Sequence, residues 1–235
     1  MEAEVRSALA ASHLRGLPPD VLAALTTGAV RTSVPAGTVT HHEGERLPHL
    51  DMVVVGLMRV FVRAPDGRTL TVRYCRPGSL LGTATVFAGP AALPGTASAV
   101  VDAEVLRMSA TVAAEVARTD ARVAGAFLEE LSERVLRFMH EIPGGAFASV
   151  RQRVARHLLD LASDRAQRGA PPDVGELVAP VSQQELAESV GTVREVVVRV
   201  LREMRQDGLV RTGRDGIVLL DPARLSHEQG WNAGS

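Results

Sequence analysis

The segment Ser182–Met204 reads SQQELAESVGTVREVVVRVLREM, which predicts two short helices joined by a turn at Gly191. Glycine adopts the left-handed backbone conformation that such a turn requires at little cost. Each predicted helix begins with the spacing of a capping box, in which a hydroxyl residue and a Glu three positions later satisfy free backbone N–H groups. The two boxes are Ser182 with Glu185, and Thr192 with Glu195. The segment therefore predicts a helix-turn-helix.

The second helix has two unlike faces at about 100° per residue. Its apolar face comprises Val193, Val196, Val197, Val200, Leu201 and Met204. Its opposite face comprises Arg194, Glu195, Val198, Arg199, Arg202 and Arg205. Residues 192–214 hold six arginines and three acidic residues, although the whole chain has a net charge of -1. These arginines could simply be a solvent-exposed helix face without a binding function. Their place on the second helix of a helix-turn-helix favours instead a role in binding nucleic acid.

Two further strands are predicted at 209–212 and 217–220, joined by Gly213-Arg214-Asp215-Gly216. They complete a winged helix-turn-helix. Four residues are expected to contact base edges, namely Arg194, Glu195, Val198 and Arg199. Six are expected to contact the DNA backbone, namely Ser182, Gln183, Thr192, Arg202, Arg205 and Arg214.

Upstream of this motif, residues 34–108 contain short segments rich in Val, Thr and Leu that alternate with turn signals. This alternating pattern of strand and turn signals predicts a small antiparallel barrel or jelly roll. Its clearest element is a hairpin of residues 57–62 and 69–74 around an Asp-Gly turn. Residues before about 32 have helical spacing, and Pro18-Pro19-Asp20 can open the second of two short helices.

A long helix is predicted from residue 110 to about 142. Apolar residues recur along it at steps of four and three, the spacing with which one helix packs against another in a coiled coil; we call this apolar stripe the seam. The seam comprises Ala124, Leu128, Leu131, Val135, Phe138 and Ile142. Pairing with a two-fold copy is the favoured interpretation, and packing of the seam on the barrel is the alternative. Pro143-Gly144-Gly145 is expected to interrupt the helix and act as a hinge.

Composition excludes several classes of protein. The chain has 235 residues, 46% of them hydrophobic, and no apolar run near the 18 residues of a membrane span. The acidic N-terminus lacks the apolar stretch of a secretory signal, so a cytoplasmic location is expected. The single cysteine, Cys75, cannot form an internal disulfide, a four-thiolate iron–sulfur cluster or a zinc knuckle.

Catalytic and metal chemistry are not expected. The chain has no nucleophile elbow, phosphate loop or paired catalytic carboxylates, so it is not predicted to be an enzyme. His41, His42, Glu43 and His49 suggest a metal site in a barrel. Adjacent strand residues point to opposite faces, so His41 and His42 cannot both bind one ion, and no metal is expected.

These features resemble the cyclic-AMP receptor protein and fumarate–nitrate reductase regulator (CRP/FNR) family of bacterial transcription factors. Arg194-Glu195 followed by Arg199 matches the Arg-Glu-x-x-x-Arg set with which the cyclic-AMP receptor branch reads DNA. The barrel glycines also match, at Gly44, Gly56, Gly67, Gly78 and Gly82.

The resemblance implies an α+β chain in three parts. Residues 1–118 would be a sensory jelly roll like a cyclic-nucleotide-binding domain, 119–147 the dimerisation helix and hinge, and 148–235 the winged helix-turn-helix. It also implies a homodimer that binds double-stranded DNA at a TGTGA-like inverted repeat, and that contacts RNA polymerase if it is an activator.

The sensory pocket departs from the family pattern. In cyclic-AMP binders a Gly-Glu pair and an Arg-Ser pair hold ribose and phosphate, and a Thr-Ser pair of the dimer helix contacts adenine. The corresponding pairs here are Gly82-Thr83, Leu93-Pro94 and Phe138-Met139. With Leu80, Leu81, Val86 and Phe87 they predict a largely apolar pocket with no cationic partner.

A cyclic phosphate buried in such a pocket would be an unpaired charge, which costs several kcal/mol. Cyclic AMP is therefore not expected as the effector, whose identity stays open. Haem is not expected either, because Cys75 is predicted to be a small buried hydrophobe. The alternative function is a ligand-binding barrel, or a haem or metal sensor, whose C-terminal domain serves mainly protein contacts.

Overall fold

The computed structural model describes residues 2–67, 69–87, 93–167, 177–213 and 216–228, with the side chains of 140–147 and 163–167 left out. The chain divides into two compact units. Unit 1 comprises residues 1–62 and 72–136, and unit 2 comprises residues 63–71 and 137–235. Helices and antiparallel sheets both contribute, which confirms the α+β class. The three-part domain division stays a prediction.

Two short helices begin the chain, α1 (Ala3–Ala11) and α2 (Pro19–Leu25). Proline at the first helical position needs no backbone hydrogen bond and has a helical φ, which explains why α2 starts at Pro19 as predicted. Apolar residues of both helices pack into a core with one face of the adjoining sheet.

Eight strands form two four-stranded sheets, which confirms the predicted jelly roll. Their bounds are β1 (Val30–Val34), β2 (Val39–His41), β3 (His49–Val55), β4 (Met58–Arg63), β5 (Thr69–Cys75), β6 (Leu80–Leu81), β7 (Thr96–Ala99) and β8 (Ala103–Ser109). The strand orders are β1-β8-β3-β6 and β2-β7-β4-β5. The predicted hairpin is β4–β5, and Gly67 has the positive φ that its turn requires.

Strand alternation separates two apolar clusters in unit 1. One fills the barrel and includes Val53, Leu81 and Val105. The other lies between the helices and the sheet and includes Leu80 and Phe127. Neighbouring residues of one strand thus enter different cores, because successive side chains point to opposite faces.

Three helices follow β6 within and after the barrel, α3 (Thr83–Phe87), α4 (Ala110–Thr119) and α5 (Ala121–Phe147). The first half of α5 buries Val123, Ala126 and Phe127 in the second cluster. The predicted seam lies on another side, where Leu128 and Val135 are exposed. Packing of the seam on the barrel, the alternative considered from sequence, is therefore not observed for these residues.

The predicted interruption at Pro143-Gly144-Gly145 is wrong, because α5 continues through these residues to Phe147. A proline removes only one backbone donor, and the flanking residues continue the helix. The break falls instead at Ala148-Ser149. There the Ser149 hydroxyl accepts the Gln152 N–H, and the Gln152 side chain accepts the Ser149 N–H. This capping box starts the next helix.

The described residues of unit 2 form a three-stranded sheet and four helices after α5. Their bounds are α6 (Val150–Gln167), β9 (Leu177–Ala179), α7 (Gln183–Ser189), α8 (Arg194–Gln206), β10 (Val210–Gly213), β11 (Gly216–Leu219) and α9 (Pro222–His227). The antiparallel sheet has the order β10-β11-β9. The order of helices and strands confirms the predicted winged helix-turn-helix.

Among the described residues, no helix combines the length and the apolar character needed to cross a membrane.

Candidate nucleic-acid interface and sensory pocket

The start of α7 has the predicted capping box. The Ser182 hydroxyl accepts a hydrogen bond from the Glu185 N–H at 3.1 Å, and the Ser182 N–H donates to Glu185 Oε2 at 2.8 Å. Two otherwise free donors at the helix start are thereby satisfied. The position where α7 begins is thus set locally, by residues three positions apart.

The second predicted capping box, Thr192 with Glu195, is not formed. Helix α8 begins at Arg194, with Val193 at the N-cap and no side-chain cap. Glu195 is consequently the second helical residue, one position short of the place that a capping box requires. The Thr192 N–H donates to the Ala187 carbonyl at 3.0 Å, so the turn after α7 sets where α8 starts.

Helix α8 presents the two faces that its periodicity predicts. Val197, Val200, Leu201 and Met204 are buried. The six residues of the predicted polar face are all exposed, namely Arg194, Glu195, Val198, Arg199, Arg202 and Arg205. Val193, assigned to the apolar face, is 52% exposed because it lies outside the helix, where helical periodicity does not apply.

The positive charge of the arginines on this face of α8 is little neutralised by other residues of the chain. Among the described residues, the side chains of Arg194, Arg199 and Arg202 form no hydrogen bond or ion pair. Arg205 donates from Nη1 to the Thr212 hydroxyl of β10 at 3.3 Å. Three guanidinium groups are thus available to an anionic or hydrogen-bonding partner without breaking an internal contact.

The other residues predicted to contact a DNA backbone lie at the start of each helix. Ser182 is exposed, whereas Gln183 and Thr192 are half-buried. Arg214 lies outside the described residues.

Arg151 positions the ends of α8 and α9, a role that was not predicted from the sequence. Its guanidinium donates to both carboxylate oxygens of Glu228, at 2.6 and 2.7 Å, and to Asp207 Oδ2 at 2.6 Å. These bonds, those to Glu228 foremost, raise the pKa of Arg151. Because Asp207 follows α8 and Glu228 follows α9, one side chain of α6 joins the ends of both helices.

Arg153 makes a second link within unit 2. Its Nε donates to the Val190 carbonyl at 3.0 Å, and its Nη1 donates to the Ala148 carbonyl at 3.0 Å. The turn between α7 and α8 is thereby tied to the start of α6. Only the position of Arg153 early in an amphipathic helix could have marked it in the sequence.

The predicted pocket is divided in the structure. Leu81 points into the barrel and Leu80 into the cluster beside the helices, so the two do not line one cavity. Thr83 is fully buried, and its hydroxyl has no hydrogen-bond partner among the described residues. Val86 and Phe87 border the second cluster, where Phe87 is 5.3 Å from the ring of Phe127.

Two cationic side chains lie beside Leu80, one of the predicted pocket residues. Arg73 and Arg134 both donate to the Leu80 carbonyl, at 3.3 and 3.2 Å. The buried carboxylate of Glu130 lies between them, bonded to Arg134 and 3.5 Å from Arg73 Nη2. These residues come from β5 and α5, outside the positions that the family pattern indicates, so their role could not be predicted from the sequence.

Among the described contacts, none joins Thr83 to the remaining predicted pocket residues. The backbone of Leu93 pairs with Gly44 and Glu45, at 3.0 and 2.9 Å, and Pro94 is exposed. Phe138 and Met139 of α5 are exposed.

Cys75 is a small buried residue of the barrel interior, as predicted. Burial raises the pKa of its thiol, which disfavours the thiolate that metal or haem ligation requires.

Comparison with known proteins is consistent with both units. A family model described as "Cyclic nucleotide-binding domain" matches residues 31–120, and one described as "Crp-like helix-turn-helix domain" matches residues 152–228. The chain is 31% identical to "Transcriptional regulator LdrP" of Thermus thermophilus, over 80% of this chain and 90% of that protein. It is 26% identical to a "CRP-like cAMP-activated global transcriptional regulator" of Mycobacterium tuberculosis, over 92% and 95%.

A solved structure is similar over most of the length. The crystal structure of a transcriptional regulator of the CRP/FNR family from Thermus thermophilus superposes with a TM-score of 0.72. The two are 26% identical, and the match covers 86% of this chain and 99% of that one.

We expect the substitution Arg151→Met to lower the free energy of unfolding by about 1–3 kcal/mol, because hydrogen bonds to charged groups are worth that much. Urea titration followed by circular dichroism measures the change. Arg202→Met is the matched control, since Arg202 is exposed and forms no internal bond among the described residues. Equal stability of the two variants would contradict the assigned role of Arg151.

Proposed function

The chain belongs to the CRP/FNR family of bacterial transcriptional regulators, and from this premise we propose that it is a homodimer that binds specific DNA. Members of this family are regulators and not enzymes, which confirms the expectation of a protein without catalytic activity. We further propose that its sensory pocket has diverged from cyclic-AMP binding. Such a regulator acts in the cytoplasm, and contacts RNA polymerase if it activates transcription.

The exposed face of α8 is the observation that carries the DNA-binding proposal. A guanidinium pairs bidentately with the O6 and N7 atoms of guanine, and a carboxylate accepts from the amino group of cytosine. Arg194, Glu195 and Arg199 supply these groups, with Val198 between them available for apolar contact. A TGTGA-like half-site offers matching G and C edges.

The other arginines of α8 suit the DNA backbone. Arg202 and Arg205 follow Arg199 along the exposed face, and Arg205 already bonds to the wing. Contacts with phosphate fix the register of the protein without reading sequence. Ser182, Gln183 and Thr192 at the two helix starts would add neutral contacts to the backbone, as Arg214 would from the wing turn.

The dimer proposal rests on the apolar side of α5. Leu128 is 66% exposed and Val135 57% exposed, in a helix whose other side is buried in unit 1. An apolar stripe of this kind is stabilised by burial against a second helix. Two-fold pairing would also present two α8 helices to an inverted repeat. The proposed division at residues 147 and 148 agrees with the end of α5 at Phe147.

The effector proposal rests on the pairs that replace the cyclic-AMP clamp. Thr83 has no carboxylate for a ribose hydroxyl, and Leu93-Pro94 has no cation for a phosphate. Arg73 and Arg134 do carry charge nearby, but both are held by Glu130 and the Leu80 carbonyl. A phosphate would have to displace the Glu130 carboxylate, which is buried. We therefore propose an effector other than cyclic AMP.

We expect Arg199→Ala to weaken binding to a TGTGA inverted repeat by 1–3 kcal/mol, or about 5- to 150-fold, because a bidentate base contact is lost. Binding to a scrambled duplex should change far less. Fluorescence anisotropy at fixed salt measures both affinities. Arg202→Ala is the control, expected to weaken both duplexes alike. An equal loss on both duplexes for Arg199→Ala would overturn the assignment.

We expect Leu128→Glu to convert the dimer to monomers, because it places a charge in the centre of the paired apolar seam. Analytical ultracentrifugation at micromolar concentration distinguishes the two states. Glu129→Lys, an exposed change beside the seam, should leave the dimer intact. A wild-type chain that sediments as a monomer would refute the dimer proposal.

We expect millimolar cyclic AMP to leave the melting temperature and the DNA affinity unchanged. A ligand far above its dissociation constant stabilises a folded protein by several kcal/mol, so binding would be evident in a thermal scan. The inverted-repeat DNA serves as the positive control, since it should raise the melting temperature. Micromolar binding of cyclic AMP in a calorimetric titration would contradict the proposed divergence of the pocket.

A further inference from the structure

A buried cluster of titratable side chains lies in unit 1, at the meeting of β2 and β3. His41 ends β2, whereas His49 and Asp51 lie two residues apart on β3 and therefore share one face of that strand. His41 is 1% exposed and Asp51 is fully buried, while the side chain of His49 is 19% exposed. None of the three belongs to the DNA-binding face or to the predicted pocket.

Three side-chain atoms of this cluster converge. His41 Nε2 lies 3.2 Å from His49 Nε2 and 3.4 Å from Asp51 Oδ2, and His49 Nε2 lies 4.0 Å from the same carboxylate oxygen. A point equidistant from the three atoms is about 2.1 Å from each. Zinc–nitrogen and zinc–oxygen bonds in proteins measure roughly 2.0–2.2 Å. The triangle thus has the size of a metal coordination shell.

Neighbouring residues orient two of these groups. The Thr40 hydroxyl lies 3.4 Å from the Ala97 carbonyl, to which it donates, and 2.8 Å from His41 Nδ1. The Thr40 contact occupies Nδ1 of His41, and Nε2 is the ring nitrogen that lies towards His49 and Asp51. Partners of this kind on the far nitrogen of a ligand histidine are typical of metal sites.

The carboxylate of Asp51 is held in the same manner. Arg107 of β8 donates from Nε to Oδ1 and from Nη2 to Oδ2, both at 3.0 Å. The same Oδ2 atom lies 3.4 Å from His41 Nε2 and 4.0 Å from His49 Nε2. A cation placed among these three atoms would be attracted by the carboxylate.

We propose that His41, His49 and Asp51 bind a divalent first-row transition-metal ion, with further coordination positions open on the partly exposed side of His49. Two imidazoles and one carboxylate are a ligand set that suits zinc or ferrous iron. Asp51 pairs in register with Leu81 of β6, so the ion would lie one strand from the Gly82-Thr83 turn. This proposal replaces the expectation of no metal, which rested on His41 and His42 and overlooked Asp51.

The test uses the full-length chain, without an affinity tag and stripped with a chelator, and zinc sulfate as the probe. We expect about one zinc per chain in a calorimetric titration, and the same content by mass spectrometry after dialysis. His49→Gln should weaken zinc affinity at least tenfold, within the usual range for disturbing a metal site. The matched control is His42→Gln. Because His42 is exposed and follows His41 in the sequence, this variant should bind zinc as tightly as the wild type does.

Cobalt(II) provides a readout that does not depend on any variant. Bound by two imidazoles and a carboxylate with few further ligands, it should give the intense visible absorption of a low-coordinate complex, and zinc should displace it. Circular dichroism checks that His49→Gln is folded. Each of three results would overturn the proposal. The wild type could retain no zinc, His49→Gln could bind zinc as tightly as the wild type, or bound cobalt could give the spectrum of the free ion.

Discussion

The burial of one side of α8 determines what the rest of unit 2 can do. Val197, Leu201 and Met204 enter the core, and the helix can rotate only if they leave it. Because Cβ positions repeat every 3.6 residues, burial of this side places the arginines and Glu195 together in solvent. Burying a Leu or Met side chain is worth about 1.5–3 kcal/mol, so this orientation is strongly preferred. The surface that we propose to bind DNA is thus a consequence of core packing.

Links from α6 then set the position of α8 along and around its axis. Arg151 joins the ends of α8 and α9, and Arg153 holds the turn before α8. These contacts lie at opposite ends of the recognition helix. A sequence-reading helix must place its side chains within a fraction of an ångström of base edges, and two fixed ends provide that constraint. The arginines that position the helix are consequently distinct from those that are exposed on it.

Two carboxylates of unit 1, those of Asp51 and Glu130, are by contrast buried and paired with arginines. Glu130 lies between Arg73 and Arg134, and Asp51 is bound by Arg107. A buried carboxylate without such partners would cost several kcal/mol. Both pairs adjoin β6, one at the Leu80 carbonyl and the other through the strand pairing of Asp51 with Leu81. Unit 1 is therefore more polar around β6 than the apolar sequence of this strand indicates.

Features that depend on near neighbours were predictable from the sequence. The faces of α8, the capping box of Ser182, the hairpin and the jelly roll follow from periods of 3.6 and 2 or from spacings of a few residues. Local rules failed at Thr192, where the preceding turn sets the helix start, and at Pro143, where the long helix continues. The pairs Asp51–Arg107 and Leu80–Arg134 could not be predicted, because their members are more than 50 residues apart along the chain. Strand pairing and helix packing bring those groups together, and only the tertiary structure specifies both.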